Sequence, residues 1–385
     1  MSENLSIYIH WPFCKSLCPY CDFNSHISED LDLERWHNAY IKELEYMLSS
    51  YGGVEVESIF FGGGTPSLMD PKLVSRIIDR IAKMCKLDNT EITLEANPTS
   101  TEAAKFRQFR DAGINRLSLG VQSLLDKDLK ILGREHNALG AKKAIETAAN
   151  YFDNYSFDLI YGRPAQELID WEQELKEAIN LAANHLSVYL LTIEKATPFY
   201  DLARKGILKM QNNEILADFI ITTNQIMEDN NYKRYEISNY TRSNFECRHN
   251  LRYWNYKDYI GIGAGAHSRT LKEEGVASIM MHHKPEKWLN QVESQNHGVQ
   301  NNKLLDQKQI IQEIIMMGLR SISGVSEDLL KVKSGADFND ILDMGFLELV
   351  IQENLLIYDR GSKNICLTTS GMNLHSYIVS RVLDI

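Results

Sequence analysis

The sequence lacks several things, and each absence excludes a class of protein. No apolar run approaches the ~20 residues of a membrane-spanning helix. The N-terminus carries neither a basic stretch nor an apolar core of the kind a secretory leader needs, so none is expected. Positive charge is not in excess: 41 Lys and Arg stand against 52 Asp and Glu, for a net charge of −11. That balance excludes a nucleic-acid backbone as the main partner, because neutralising phosphates requires a basic face. It also supplies no polybasic patch for an anionic bilayer. Cysteine is scarce, with six in 385 residues. Cys85, Cys247 and Cys366 are scattered and read as plain buried or half-buried thiols, so no disulfide framework is expected and the setting is reducing and cytoplasmic. Repeats, low-complexity tracts and a Pro/Gly/Ser linker are missing too. What remains is an ordinary globular composition, long enough for one large domain and a smaller one.

The most informative absence is a fourth thiol beside the other three. Cys14, Cys18 and Cys21 follow one another as C-x3-C-x2-C, just after an apolar run. A closed structural zinc site takes four ligands, and His10 or His26 would complete one here. A cubane iron–sulfur cluster held by three thiolates instead leaves one iron open to an exchangeable ligand, which marks a reactive metal. An open iron needs a bidentate ligand, and such a ligand needs a backbone cradle. The glycine-rich Gly62-Gly63-Gly64-Thr65-Pro66 after the next apolar run offers one.

Apolar periodicity alternates between strand and helix through the first half. Strands are expected at Leu5–Ile9, Val56–Phe61, Glu91–Ala96, Arg116–Val121, Tyr155–Tyr161 and His185–Thr192. Helices are expected around Trp36, Tyr40 and Leu44, around Ile77 and Ile81, over Thr101–Ala112 and Ala138–Ala149, and around Trp171 and Leu175. Such alternation implies a parallel sheet with right-handed crossovers. Six units are too few for a closed eight-stranded barrel, so the expected fold is α/β, an open (β/α)6 partial barrel over residues 1–200. Polar residues then cluster at strand ends, where the ligands of parallel barrels sit: Gly63, Gly64 and Thr65, then Glu95, then Gln122, with Asp158 inside the fifth strand. An extension over 201–300 is expected to hold a helix at Glu214–Asn230 and short strands at Tyr235–Ile237 and Tyr259–Ile262. A smaller, mainly helical unit with a β element is expected over 301–385, the boundary falling between Gln295 and Asp306.

Together these motifs resemble the radical S-adenosylmethionine (SAM) superfamily. His10-Trp11-Pro12-Phe13-Cys14 and Cys18-Pro19-Tyr20-Cys21 are similar to its coproporphyrinogen-oxidase-like branch, as are Glu95-Ala-Asn97-Pro98, Gly120-Val-Gln122-Ser123, Leu132-Gly-Arg134 and Asp158-Leu-Ile-Tyr161-Gly162. Cys247-Arg-His249-Asn250-x-x-Tyr253-Trp254 resembles the signature of the HemW family of heme chaperones. The resemblance implies a [4Fe–4S] cluster on Cys14, Cys18 and Cys21, with SAM chelating the fourth iron. It implies that Gly63, Gly64 and Thr65 receive the SAM amino group, that Arg134 pairs with its carboxylate through a planar fork, that Gln122 and Asp158 take ribose hydroxyls, and that Glu95 faces the methionyl part. Tyr8 and Tyr20 would pack on the cofactor, and reductive cleavage of SAM would give a 5′-deoxyadenosyl radical.

Within that branch two functions compete. The oxygen-independent coproporphyrinogen III oxidase, which decarboxylates its substrate to protoporphyrinogen IX, has a further cysteine two residues after the last cluster cysteine. Phe23 occupies that position here. The oxidase also has a longer arm before the motif, whereas 13 residues precede Cys14 here. The expected function is therefore a heme chaperone that binds heme and passes it to an acceptor protein, one of the respiratory chain being in view. SAM cleavage, peripheral membrane association, and monomer against dimer are left open. His249 is the candidate heme contact, since imidazole is a common axial ligand; Tyr253 and Trp254 are candidates to flank a flat ring, and Met280-Met281-His282-His283 also holds axial-ligand types. Gly261-Ile-Gly263-Ala-Gly265-Ala266 matches a loose dinucleotide fingerprint, but His267 onwards reads as a strand, not the helix that fingerprint needs. A tight backbone wall beside a pocket is expected there.

Overall fold

The fold is built outward from one buried strand. In a computed structural model describing residues 4–28, 31–242 and 244–383, strand Asn4–Trp11 is buried almost throughout. Such a run, apolar on Leu5, Ile7, Ile9 and Trp11, is what a parallel strand covered on both faces requires. It pairs in parallel with Glu55–Gly63 on one side, and the ladder continues in parallel through Glu91–Ala96, Arg116–Gln122, Asn154–Tyr161 and His185–Leu190. The expected six-unit α/β ladder is present.

The sheet then goes further than periodicity foretold. Tyr259–Ile262 pairs in parallel with the other side of Asn4–Trp11, as a seventh parallel strand. Antiparallel strands His267–Lys272, Gly275–Met281 and Val299–Leu304 extend that edge, and Asn239–Thr241 with Lys233–Arg234 extend the other, giving a 12-stranded mixed sheet. Its two edges do not pair with one another among the described residues, so the barrel is open. Helices Leu33–Leu48, Pro71–Met84, Ala138–Tyr151 and Leu168–Leu181 supply the crossovers. Three of them are capped by a side chain accepting from the first turn: Asp32, Asp70 (followed by Pro71) and Asn137, each cap worth roughly 1 kcal/mol.

Two expectations need correction. The single helix over Thr101–Ala112 is two, Ser100–Ala103 and Phe106–Asp111. The Glu102 side chain in the first is drawn inward to accept from Ser67 and from the Asn97 amide, tying that turn to a strand end. Tyr235–Ile237 is not a strand but the turn of a hairpin, because the Glu236 carboxylate accepts from the Ser238 amide at 2.7 Å and from Asn239 at 2.6 Å. Between Gln295 and Asp306, Val299–Leu304 pairs with Gly275–Met281 in the main sheet.

A second hydrophobic core starts with helix Gln307–Gly318, whose N-terminus carries a full capping box between Asp306 and Gln309. Helices Glu327–Ser334 and Met344–Gln352 pack with it against a small antiparallel sheet of Val325–Ser326, Asn364–Leu367 and Leu356–Asp359. No helix among the described residues is long and apolar enough to cross a membrane.

Candidate functional site

The carboxyl ends of the parallel strands open onto a cavity of about 360 Å³. Cys14, Cys18 and Cys21 line one side of it; Gly63, Gly64, Thr65, Glu95, Gln122, Arg134 and Asp158 line the rest, with Tyr20 beside the thiols. Of the residues assigned to SAM by resemblance, only Tyr8 lies elsewhere. Strand position explains the convergence: residues from four different strands meet because parallel strands end on the same side.

Local chemistry holds the set in place. Thr65 donates to Cys14 Sγ at 3.4 Å, and Arg134 Nη1 donates to Cys18 Sγ at 3.2 Å. Gly63 sits at φ +112°, a region L side chains avoid; a Cβ there would stand 2.6 Å from the His10 ring. Its amide donates to Glu95 Oε2 at 3.2 Å. Burial and the neighbouring Asp158 push the Glu95 carboxyl up to about 8, and burial pushes Asp158 up to about 6 against the lowering effect of Ser187, Arg116 and Arg134. Gln122 is held at φ +71° beside a break in strand register, the kind of backbone strain that collects at ligand sites.

These residues fit a cluster with a chelating ligand. Three thiols line the same cavity, and Arg134 Nε is buried without a partner. Among the described residues no three His, Cys, Asp or Glu side chains close on a point suited to a single metal ion. A zinc site would need His10 or His26 as its fourth ligand. His10 is committed elsewhere, Nε2 meeting the Asn24 carbonyl oxygen at 2.9 Å and Nδ1 the Tyr8 hydroxyl at 3.0 Å. His26 meets Asn24 Oδ1 at 3.2 Å.

A second, more open chamber of about 640 Å³ adjoins the first, sharing Asp22, Phe23, Ser25, Gly63 and Glu95 with it. Tyr8, His10, Tyr253, Tyr259, His267 and His283 form its other walls. Phe23, 63% exposed, stands at the shared rim.

His249 does not reach either cavity. It is 1% exposed, with Nδ1 at 2.8 Å from Ser58 Oγ and Nε2 at 3.0 Å from the Tyr253 hydroxyl. Phe60 stacks on its ring at 4.9 Å. Burial holds its pKa down at about 3, helped by Arg252 and Arg116. With both nitrogens engaged, His249 as placed has none to offer a heme iron. The helix Arg248–Trp254 is a plug in the barrel: Arg252 Nη1 meets Glu57 at 2.6 Å, Cys247 meets Glu91 at 3.6 Å, and Trp254 lies under the Arg320 guanidinium at 4.6 Å. Tyr253 and Trp254 therefore do not flank one space.

Comparison with known proteins agrees with this geometry. The radical SAM superfamily profile matches residues 8–178, and the HemN C-terminal domain profile matches 305–374. The heme chaperone HemW of Bacillus subtilis (strain 168) is 32% identical over 381 residues, covering 98% of this chain and 99% of that protein. HemW of Escherichia coli (strain K12) is 40% identical over 277 residues, 70% of this chain and 71% of that one. The chain belongs to the HemW family of radical SAM proteins. The bovine (Bos taurus) mitochondrial radical SAM domain-containing protein 1 is 33% identical over 335 residues, covering 84% of this chain and 75% of that one. Coproporphyrinogen III oxidase (HemN) of Escherichia coli shares the fold, with a TM-score of 0.80 at 21% identity over 98% of this chain and 89% of that one.

For this HemW-family chain, sequence reasoning missed two parts of the site. Asn97 joins Thr65, at 3.2 Å, to Arg134, and so sets the direction of the guanidinium, which also donates to the Gly120 carbonyl at 2.9 Å. Its place two residues after Glu95 at the same strand end was the available signal. The other is the second chamber, whose walls come from both ends of the chain. The Gly261–Ala266 segment is the end of strand Tyr259–Ile262 and the turn leading into strand His267–Lys272. A Cβ on Gly263 would meet the His10 carbonyl oxygen at 2.3 Å, and one on Gly265 would meet Asn24 at 2.1 Å, so this backbone packs directly against the base of the cysteine loop.

Proposed function

We propose that the protein is a heme carrier: it binds heme, passes it to an acceptor protein, and holds a [4Fe–4S] cluster on Cys14, Cys18 and Cys21 with exchangeable SAM at the open iron. Support comes from two relatives named as heme chaperones, one matched along nearly its whole length. The observation that carries the choice against porphyrinogen oxidation is Phe23. Where the oxidase resembled in sequence has a further cysteine, this chain puts an exposed phenyl ring at the rim joining the two cavities. A phenyl ring neither ligates nor transfers a proton; it suits the edge of a flat apolar ligand.

When bound, the cluster would supply one electron to the SAM sulfonium. The chain's own residues bind and orient. Arg134, aimed by Asn97 and Gly120, would take the SAM carboxylate as a planar fork. Gly63, Gly64 and Thr65 would receive the amino group, and Gln122 and Asp158 the ribose. Glu95 would stand by the methionyl part and Tyr20 beside the thiols; Tyr8 would face the second chamber instead. No helix among the described residues is long and apolar enough to cross a membrane, and the reduced thiols the cluster needs suit a reducing compartment such as the cytoplasm.

One anaerobic assay tests this reading by three outputs: heme bound per chain, coproporphyrinogen decarboxylation and 5′-deoxyadenosine release. Stoichiometric heme without decarboxylation is expected; decarboxylation at enzymatic rates would restore the oxidase.

A further inference from the structure

The second chamber has three imidazoles on its walls, and only one is engaged. His10 is fixed by Tyr8 and Asn24. His267 and His283 are exposed to the chamber, and neither ring forms a hydrogen bond among the described residues. Their ring centroids lie 6.1 Å apart, with the planes at 65°. We propose that His267 and His283 are the iron-binding pair of the heme site, with the porphyrin seated in the second chamber beside the cluster cavity. This rests on the heme-carrier reading above and gives that cargo a location.

Ligand count decides the chemistry. A bare divalent cation needs three or four protein donors, and no such group closes among the described residues. A porphyrin iron brings four equatorial nitrogens of its own and asks the protein for one or two axial ligands. Two free imidazoles with ring centroids 6.1 Å apart match that demand. Two imidazoles bound to one iron at ~2 Å each would place their ring centres about as far apart as these are.

The walls match the rest of the ligand. Tyr253 and Tyr259 pack edge to face at 4.4 Å and offer flat apolar surface, with Phe23 at the rim. The chamber's volume lies in the range of ligand pockets, and its openness leaves ionised propionates in water, where burying them would be costly.

Both imidazoles sit on a stiff support. His267 begins a strand that pairs with Met280, and His283 lies two residues beyond that partner strand. The His283 carbonyl accepts from Asn24 Nδ2 at 3.0 Å, and the Ala264 carbonyl accepts from the same amide. Gly261 lets the His267 backbone approach where a Cβ would stand 2.2 Å from its carbonyl oxygen. The pair is thereby tied to the residues just after Cys21.

The test is a hemin titration of the full, cluster-reconstituted chain, followed by the Soret band and by low-temperature EPR of the ferric iron. Wild type is expected to show an imidazole-ligated spectrum. His267→Ala and His283→Ala should each raise the hemin dissociation constant about tenfold or more, with the missing ligand field restored by added imidazole, and the double variant should lose both signatures. Iron and sulfide content and the thermal midpoint, unchanged in all, show that the fold is intact. A double variant that binds hemin with wild-type affinity and spectrum overturns the site while leaving the carrier reading standing. Wild type that binds no hemin overturns both.

Discussion

His249 Nε2 and the Tyr253 hydroxyl meet at 3.0 Å, one helical turn apart. Through this bond the sequence signature does two jobs: its histidine fills the barrel floor, and its tyrosine, oriented by that histidine, forms a wall of the second chamber. His249→Ala would remove a buried ring and its bonds to Ser58 and Tyr253, leaving Ser58 with Ser6, costing roughly 2–4 kcal/mol. The expected result is a clearly lower thermal midpoint with the imidazole-type hemin spectrum retained. Loss of that spectrum from a protein with its cluster intact would return the iron ligand to His249.

The cradle makes a sharper demand. Gly63→Ala would force a side chain onto φ +112° and into the His10 ring. The variant is expected to keep three thiols and load iron, but the EPR signal of the reduced cluster should no longer change when SAM is added. An unaltered response would show that the Gly63 backbone does not receive the SAM amino group.

Arg134→Lys keeps the charge and loses the fork. Since Nη1 and Nη2 are divided between Cys18, Asn97 and Gly120, an ammonium cannot reproduce the geometry. The SAM dissociation constant should rise about tenfold or more, equivalent to ~1.4 kcal/mol. Calorimetry on the reconstituted chain reads this directly.

Those two sites show what was legible in sequence. The six strand–helix units and the pocket residues of the strand ends could be read because each lies within a local pattern: a buried run, then a polar residue. The strand Tyr259–Ile262 could be read too, but not its place as the seventh parallel strand, since its partner Asn4–Trp11 lies 253 residues away in register. The second chamber was invisible for the same reason. Tyr8 and His10 come from the first strand, and Tyr253, His267 and His283 from the last third of the barrel, with no shared periodicity. His249 was read as a heme contact because sequence gives a residue's type and neighbours but not whether its nitrogens are engaged, as they are here by Ser58 and Tyr253.

The C-terminal core supplies a pH test. His375 is buried, with Nε2 at 3.1 Å from the Met316 carbonyl oxygen, and burial, aided by Arg320, lowers its pKa to about 4. The folded chain therefore keeps it neutral while the unfolded chain protonates it near 6.5. The unfolded state binds the extra proton, so this residue's contribution is whole above pH ~6.5 and is lost as pH falls towards 4. His375→Gln should flatten the fall of unfolding free energy over that window by up to one proton, ~1.4 kcal/mol per pH unit. An unchanged slope would mean that the ring is already accessible to protons in the folded state.

Trp254 joins the barrel to that core through Arg320, whose Nη2 also meets Glu236 at 3.3 Å. Trp254→Ala should cost roughly 0.5–2 kcal/mol and speed amide exchange in Gln307–Gly318 while leaving strand Asn4–Trp11 protected. Equal exchange in both regions would mean that the two cores are coupled by other contacts.

Heme carriage is the function proposed for this HemW-family chain. It is tested most directly by titrating hemin into the anaerobically reconstituted wild-type protein and then adding excess apomyoglobin. A stoichiometric, imidazole-ligated Soret band that transfers completely to the apoprotein is expected. A flat titration, or absorbance that climbs without saturating, would contradict it.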